Sequence, residues 1–330
     1  MRTLLALPVI LISFVLVSSP AHTESATYGV LVENDTLGGT DRNYTNGFAL
    51  SYMGAEDNVW PIMRTLASKV PYVDSDNLSL RQGLVFSHAM YTPQDISTPT
   101  PDPNDHPYAS SLKLGFLVNA RKGDHTLSTA MLDIGIVGPS AQGEWLQDNV
   151  HNLINVQRPK GWDHQLHDEP ILNLTFERKH AWRHDLETPI SPMQWEWGSS
   201  MGGAVGNERT YASLGGYARI GPQLGRDFGP PRVRPGLSGT AVFDNPSDVN
   251  WYLFAGLEGR AVARDIYLDG NSFRDSASVD KKPFLGEAQA GVVVQFGQAQ
   301  VSLGYVWRSK TFKGQQEAHQ FGAISLLLKR

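Results

Sequence analysis

Glu287-Ala288-Gln289-Ala290-Gly291-Val292-Val293-Val294-Gln295-Phe296 is followed by Gly297-Gln298 and then, from Val301, by Val-Ser-Leu-Gly-Tyr-Val-Trp-Arg to Arg308. Ala288, Ala290, Val292, Val294 and Phe296 fall on one side of the first run, against Glu287, Gln289, Gly291 and Gln295. In the second run Val301, Leu303, Tyr305 and Trp307 fall opposite Ser302, Gly304 and Arg308. A period of two is that of a β-strand. Here the apolar face alternates with residues that hydrocarbon could not hold, which is the pattern of a transmembrane barrel wall.

The same reading extends along the chain. Phe48, Leu50 and Tyr52 share a face, as do Leu112, Leu114 and Phe116, Leu132, Ile134 and Ile136, and Leu172, Leu174 and Phe176. Strand-length runs lie near 27–33, 44–53, 79–87, 109–119, 125–137, 170–181, 193–205, 208–220, 250–264, 284–296, 299–309 and 319–328. An even set of about twelve antiparallel strands suits an outer-membrane barrel. A soluble β-sandwich or lipocalin-like barrel would also alternate, but with shorter strands and a less uniformly polar second face. Trp60, Trp162, Trp182, Trp195, Trp197, Trp251 and Trp307 are candidates for interfacial girdles. Arg226, Arg232 and Arg234, around Asp227-Phe228-Gly229-Pro230-Pro231, read as a solvated loop or as partners for anionic head groups. Asp269-Gly270-Asn271 reads as a turn at one end of a hairpin.

Met1-Arg2, the apolar stretch Leu4–Val17 and the small residues up to Ala21 have the form of a secretory signal peptide, 1–21. A single domain, 22–330, is expected to follow. Cysteine is absent, so no disulfide framework supports the core. A net charge of −5 argues against a nucleic-acid partner. Nothing in the sequence calls for an obligatory protein partner.

Two stretches could carry chemistry. Glu33-Asn34-Asp35 and Tyr44-Thr45-Asn46-Gly47 place a carboxylate, amides and a hydroxyl at the facing ends of adjacent strands. Hard oxygen ligands of this kind suit Ca²⁺ or Mg²⁺; a polar hairpin with an Asx-type turn is the other reading. Gly143–Ile154 reads as a helix between two strands, with Leu146, Val150, Leu153 and Ile154 as one apolar stripe and Pro159 and Gly161 closing it. Gln147 and His151, four apart, point to one side of it. His151 is a candidate base or an exposed loop histidine. There is no Gly-x-Ser-x-Gly elbow and no His-Glu-x-x-His.

Taken in order, Glu33-Asn34-Asp35, Thr40-Asp41-Arg42, Tyr44-Thr45-Asn46-Gly47, Met90-Tyr91-Thr92-Pro93, Asp105-His106-Pro107-Tyr108-Ala109, the Gln147/His151 helix and Gly161-Trp162-Asp163 resemble the outer-membrane lipid A 3′-O-deacylases. So do Met201–Asn207, Asp227–Arg232 and Leu268–Asn271. The resemblance implies a twelve-stranded barrel in the outer membrane, a requirement for Ca²⁺, lipid A or lipopolysaccharide as substrate amid outer-membrane lipids, and hydrolysis of the 3′-acyloxyacyl ester. It implies that Asn34, Asp35 and Thr45 fall at the ion and substrate site, Asn34 and Asp35 on the ion and Thr45 among the catalytic residues, and that Gln147 and His151 act from the helix, His151 as base. The chain departs from the family at three positions: His106 for an arginine, Trp145 for a polar residue, and Gln157 for an acid that would orient the imidazole. Asp148 or Glu144 would have to replace that acid. An outer-membrane phospholipase with a Ser–His site and a non-catalytic porin or scaffold are the alternatives.

Overall fold

The computed structural model describes residues 26–35, 43–67, 78–187, 192–233, 241–244 and 249–330. The signal-peptide reading, Thr40-Asp41-Arg42 and Arg234 lie outside them. Twelve antiparallel strands close into one barrel: β1 (Thr27–Asn34), β2 (Asn43–Met53), β3 (Ser79–Thr92), β4 (Ala109–Lys122), β5 (Thr126–Val137), β6 (Glu169–Leu186), β7 (Met193–Gly206), β8 (Arg209–Gly221), β9 (Asn250–Asp265), β10 (Phe284–Phe296), β11 (Ala299–Arg308) and β12 (His319–Lys329). Each strand pairs with its sequence neighbours, and β1 closes on β12 with Thr27 opposite Lys329. Closure leaves no unpaired edge, the condition for strands to cross hydrocarbon. Among the described residues three α-helices lie between strands: α1 (Pro61–Ala67), α2 (Gly143–Ile154) and α3 (Ile266–Asp269). None of the described helices is long and apolar enough to cross a membrane.

The alternation read in the sequence is the wall's division between lipid and lumen. Leu172, Leu174, Leu214, Leu253, Leu257 and Leu303 are exposed on the outer face, while Lys113, Glu177, Glu196, Arg219, Glu258, Arg260 and Glu287 are buried on the inner one. Trp182, Trp195, Trp197 and Trp251 are half-exposed towards the end that carries Thr27 and Lys329; Trp182 and Trp197 stack at 4.1 Å. Trp307 lies towards the opposite end of β11, partly exposed. Trp162 is not part of a girdle, because it is buried beneath α2 (below).

The end opposite the termini carries the connections that hold α2 and α3, and outer-membrane barrels place their longer loops outward. One connection at the termini end behaves differently. Residues 222–233, leading away from β8, run inside the barrel. Asp227 accepts from the Arg219 guanidinium, from Tyr252 Oη at 2.8 Å and from Gln295 Nε2 at 3.0 Å. Further up, Arg232 pairs with Glu33 (2.5 Å) and Glu287 (3.4 Å) and donates to Gln289 Oε1 at 2.5 Å. Phe228 and Phe243 are buried. Arg232 and Asp227 therefore belong to a lumen network; they are neither a solvated loop nor a head-group contact. Each of these side chains is met by oppositely charged or polar partners at short range, in surroundings where an unmatched charge would cost several kcal/mol.

Asp269-Gly270-Asn271 lies in the β9–β10 connection, but it does more than turn the chain. Gly270, at φ 78°, ends α3, and Asn271 donates to His167 O (2.9 Å) and Glu169 (3.2 Å). It ties this loop to the base of β6.

Candidate functional site

At the outward end of β1 the alternation splits the acidic cluster. Leu31 and Glu33 face the lumen, where Glu33 accepts from Tyr44 Oη at 2.8 Å and from Arg232. Tyr28, Val32 and Asn34 take the other face, where Tyr28 and Val32 are exposed to lipid. Glu33 is thus separated from the ion-site reading, and Asn34 remains in it. Asn34 lies opposite Asn46 on β2, and its Nδ2 donates to Thr45 O at 3.1 Å. The β2–β3 register shifts between Tyr44 and Asn46, so Thr45 is the extra residue of a β-bulge. The bulge lets Tyr44 stay in the lumen cluster with Tyr91 and Phe321 while Thr45 turns outward. There its hydroxyl meets that of Thr92 at 2.7 Å. Asp35, the next residue after β1, is fully buried.

Along β3 the outward residues after Phe86 are His88, Met90 and Thr92, the inward ones Ser87, Ala89 and Tyr91. The segment between β5 and β6 folds over this outward strip. Gly138 (φ 113°) and Gln142 (φ 61°) turn the chain, and α2 starts at a point with no room for a side chain. A Cβ on Gly143 would come within 2.5 Å of Ser110 Cβ and 2.7 Å of Trp162. Ser110 Oγ accepts from Gly143 N–H at 3.2 Å, and the His88 ring meets Ala141 O through Nε2 at 3.1 Å. Leu146 and Trp162 pack on Met90 and Tyr108.

The helix spans the residues expected from the sequence, but it ends earlier than Pro159, at Asn155 in the left-handed conformation (φ 56°). Its burial is inverted relative to a soluble amphipathic helix. The buried positions are Gly143, Gln147 and His151. Of the apolar stripe, Leu153 and Ile154 are exposed and Leu146 and Val150 only half-buried. The polar face is turned to the barrel wall because that is where its partners are.

His151 donates from Nδ1–H to the main-chain carbonyl of Gln157 at 2.5 Å. A carbonyl can only accept, so this bond fixes the tautomer and leaves the lone pair on Nε2. The orienting group expected from an acid is thus supplied by backbone at the very position where the chain carries Gln157. The turn that delivers the carbonyl is built by Asn155 and by Val156 N–H donating to His151 O at 3.0 Å. Gln147 accepts from Trp162 Nε1–H at 2.9 Å through Oε1. Its amide is therefore oriented, and its Nε2 is buried with no hydrogen-bond partner among the described residues. A buried donor left open is costly unless something is meant to fill it.

The outward strip of β3 thus joins two groups: Thr92 holds Thr45 beside Asn34, and Met90 packs under Leu146 and Trp162, which carries Gln147. Trp162 reads in the sequence as a girdle candidate and Thr92 only as part of the Met90–Pro93 motif; the bonds they make, to Gln147 and to Thr45, have no local signature. His88 was missed too, because a single histidine in an alternating strand has no signature. Asn34, Asp35 and Thr45 offer amide, carboxylate and hydroxyl oxygens. That donor set suits Ca²⁺ and not a soft metal. Asn34 commits its NH₂ to Thr45 O, so its oxygen points elsewhere. No group of three or more His, Cys, Asp or Glu is gathered for a metal among the described residues; an ion here would draw on amide, hydroxyl and main-chain oxygens as well.

His106 lies on the other side of the wall, in the outer mouth of the lumen. It stacks on Tyr91 at 5.3 Å, and its Nδ1–H donates to Pro107 O at 2.8 Å. Burial pushes its pKa below the usual histidine value, against that hydrogen bond and Asp265 and Asp105. The departure at His106 therefore falls outside the site. Trp145 points away from the wall, 63% exposed, and does not enter the site either.

The family model described as "Outer membrane protein LpxR" matches residues 6–330. Among solved structures, LpxR from Salmonella typhimurium superposes with a TM-score of 0.72 at 17% identity, over 92% of this chain and 99% of that one. The β domain of the Bordetella autotransporter BrkA gives 0.43 at 9% identity, over 93% of this chain and 100% of that one. A search of curated protein sequences found no match.

Proposed function

From a chain that belongs to the Outer membrane protein LpxR family, we propose a lipid A-modifying esterase of the outer membrane, specifically a Ca²⁺-dependent lipid A 3′-O-deacylase. The observation that carries this reading is the pairing on α2. An imidazole with Nδ1–H committed to Gln157 O stands one turn from the open Nε2–H of Gln147, and both face the lipid side of the barrel wall.

Hydrolysis of the 3′-acyloxyacyl ester needs an activated water and a stabilised oxyanion. His151 takes a proton from water at Nε2 as the oxygen attacks the ester carbonyl. The Gln147 Nε2–H donates to the oxygen on which negative charge develops. When the tetrahedral species breaks down, the C–O bond to the sugar opens. His151 then returns its proton to the departing sugar oxygen, which gives a free hydroxyl and a fatty acid. Asp35 and Asn34, with Thr45 beside them, would hold Ca²⁺, which when bound supplies positive charge to the ester carbonyl. Trp162 keeps the Gln147 amide from turning over, and Gln157 O keeps the imidazole in its basic tautomer. A site on the outer face of the wall lets the acyl chains remain in the leaflet during the reaction.

The test is mass spectrometry of lipid A from cells expressing the wild type or His151→Ala, with purified enzyme assayed with and without Ca²⁺. Loss of the 3′-acyl group in the wild type only, and only with Ca²⁺, is the expected result. Unchanged lipid A under every condition would sink the proposal. A covalent serine adduct with a fluorophosphonate probe would favour the phospholipase reading. The porin reading is opposed by the lumen network around Arg219, Asp227 and Arg232.

A further inference from the structure

The inverted helix has an outward face that the chemistry does not use. Trp145 (63% exposed), Leu153 (67%) and Val156 (47%) project from α2 and the turn after it, away from the buried Gly143, Gln147 and His151.

Their position says what covers them. The His88 ring bonds to Ala141 O just before α2 begins, and His88 is the next outward residue on β3 above Phe86, which is 41% exposed on the lipid face. The helix therefore sits directly on the outer edge of the apolar belt, continued on neighbouring strands by Leu114, Ile134 and Leu172. The flank with Glu144, Asp148 and Asn152 is polar, and the exposed Arg158 and Lys160 follow. A face on which Trp145 and Leu153 flank Asn149, whose Nδ2 donates back to Trp145 O at 2.6 Å, together with a polar flank and trailing basic residues at this level, matches a helix lying in a membrane interface.

We propose that α2 is an interfacial helix, with Trp145, Leu153 and Val156 seated among the acyl chains of the outer leaflet. The cleft between α2 and the wall then opens at the depth of the chains, and α2 forms a wall between them and water. This inference depends on the outer-membrane barrel and stands apart from the deacylase reading.

The chain has no cysteine, so Trp145→Cys, Leu153→Cys, Glu144→Cys and Leu114→Cys each accept a single nitroxide. All four positions are exposed, so none of the substitutions removes a packed side chain. Folding is checked by heat-modifiable gel mobility. The proteins are reconstituted in phosphatidylethanolamine–phosphatidylglycerol vesicles, and collision of the label with oxygen is compared with collision with a water-soluble nickel chelate. Positions 145 and 153 are expected to match the belt position 114, with an oxygen-to-nickel ratio several-fold above that at 144. A nickel accessibility at 145 and 153 equal to that at 144 would overturn the proposal. So would dipolar broadening at those positions, which would show a second copy of the chain covering the face.

Discussion

Gln157→Ala separates a backbone contact from a side-chain one. The group that orients His151 is the carbonyl oxygen of Gln157, at 2.5 Å from Nδ1, and the Gln157 residue itself is exposed. Removing an exposed side chain away from such contacts shifts free energy by within about 0.5 kcal/mol. Converted to a rate, that is about a two-fold effect on kcat. His151→Ala instead removes the base and costs roughly 10²–10⁴-fold. Between them lies Asn155→Ala, which leaves both groups in place but puts a Cβ-bearing residue without a local side-chain bond at φ 56°. The left-handed conformation costs such a residue about 1–2 kcal/mol, enough to loosen the turn that delivers the carbonyl. An intermediate loss of about ten-fold is expected. Rates are read as 3′-acyl release from lipid A in mixed micelles at saturating Ca²⁺, by mass spectrometry. A ten-fold or larger loss in Gln157→Ala would refute the reasoning, because it would mean that the side chain, not the carbonyl, orients the imidazole.

Trp162→Phe keeps a ring against Tyr108 but deletes the donor to Gln147 Oε1 at 2.9 Å. A hydrogen bond worth about 1–1.4 kcal/mol predicts a five- to ten-fold lower kcat with KM unchanged; a change confined to KM would contradict the positioning role. Asp35→Asn removes the only carboxylate of the proposed ion set and is expected to raise the Ca²⁺ concentration for half-maximal activity by on the order of ten-fold, read by titration after chelation; an unchanged midpoint would remove Asp35 from the site. The wild type should show no steady conductance in planar bilayers. Arg219→Ala, which removes the guanidinium shared by Glu196 and Asp227 and leaves Glu196 to Arg183 and Asp227 to Tyr252 and Gln295, is expected to cost about 3 kcal/mol in urea unfolding; open wild-type channels would contradict the filled lumen. His106 has a folded pKa below its ordinary 6.5. The unfolded chain therefore takes up a proton first as pH falls below about 6.5, so stability is full above that value and declines towards the folded pKa. His106→Phe should flatten that decline between pH 7 and 5 in urea melts, and an unaltered slope would show that other groups cause it.

The barrel was legible because membrane strands obey a simple rule. A residue facing lipid must be apolar, and its neighbours in sequence face the other way, so each strand from Thr27 to Lys329 announced itself by a period of two. The helix was legible as a helix from its apolar stripe and its Gln147/His151 spacing. Its orientation was not. A hydrophobic stripe signals burial only when the surroundings are water, and here Leu153 is exposed where His151 is buried. Likewise the sequence could name an absent acid at Gln157 but not a carbonyl, since every residue carries one and only the fold directs it. Arg232 and Glu33 are 199 positions apart, and no local pattern links them.

Alternation, spacing and motif order along the chain lead to about twelve strands in an outer-membrane wall, to the helix between β5 and β6 and to the candidate residues Asn34, Asp35, Thr45, Gln147 and His151, because each of these is a local pattern. Which face of the wall the residues around Thr45 take, what fills the lumen and what holds His151 and Gln147 in place came from the folded chain alone. Those depend on a bulge at Thr45, on loops folding back over β3 and on backbone groups brought together across the barrel, none of which is encoded at neighbouring positions.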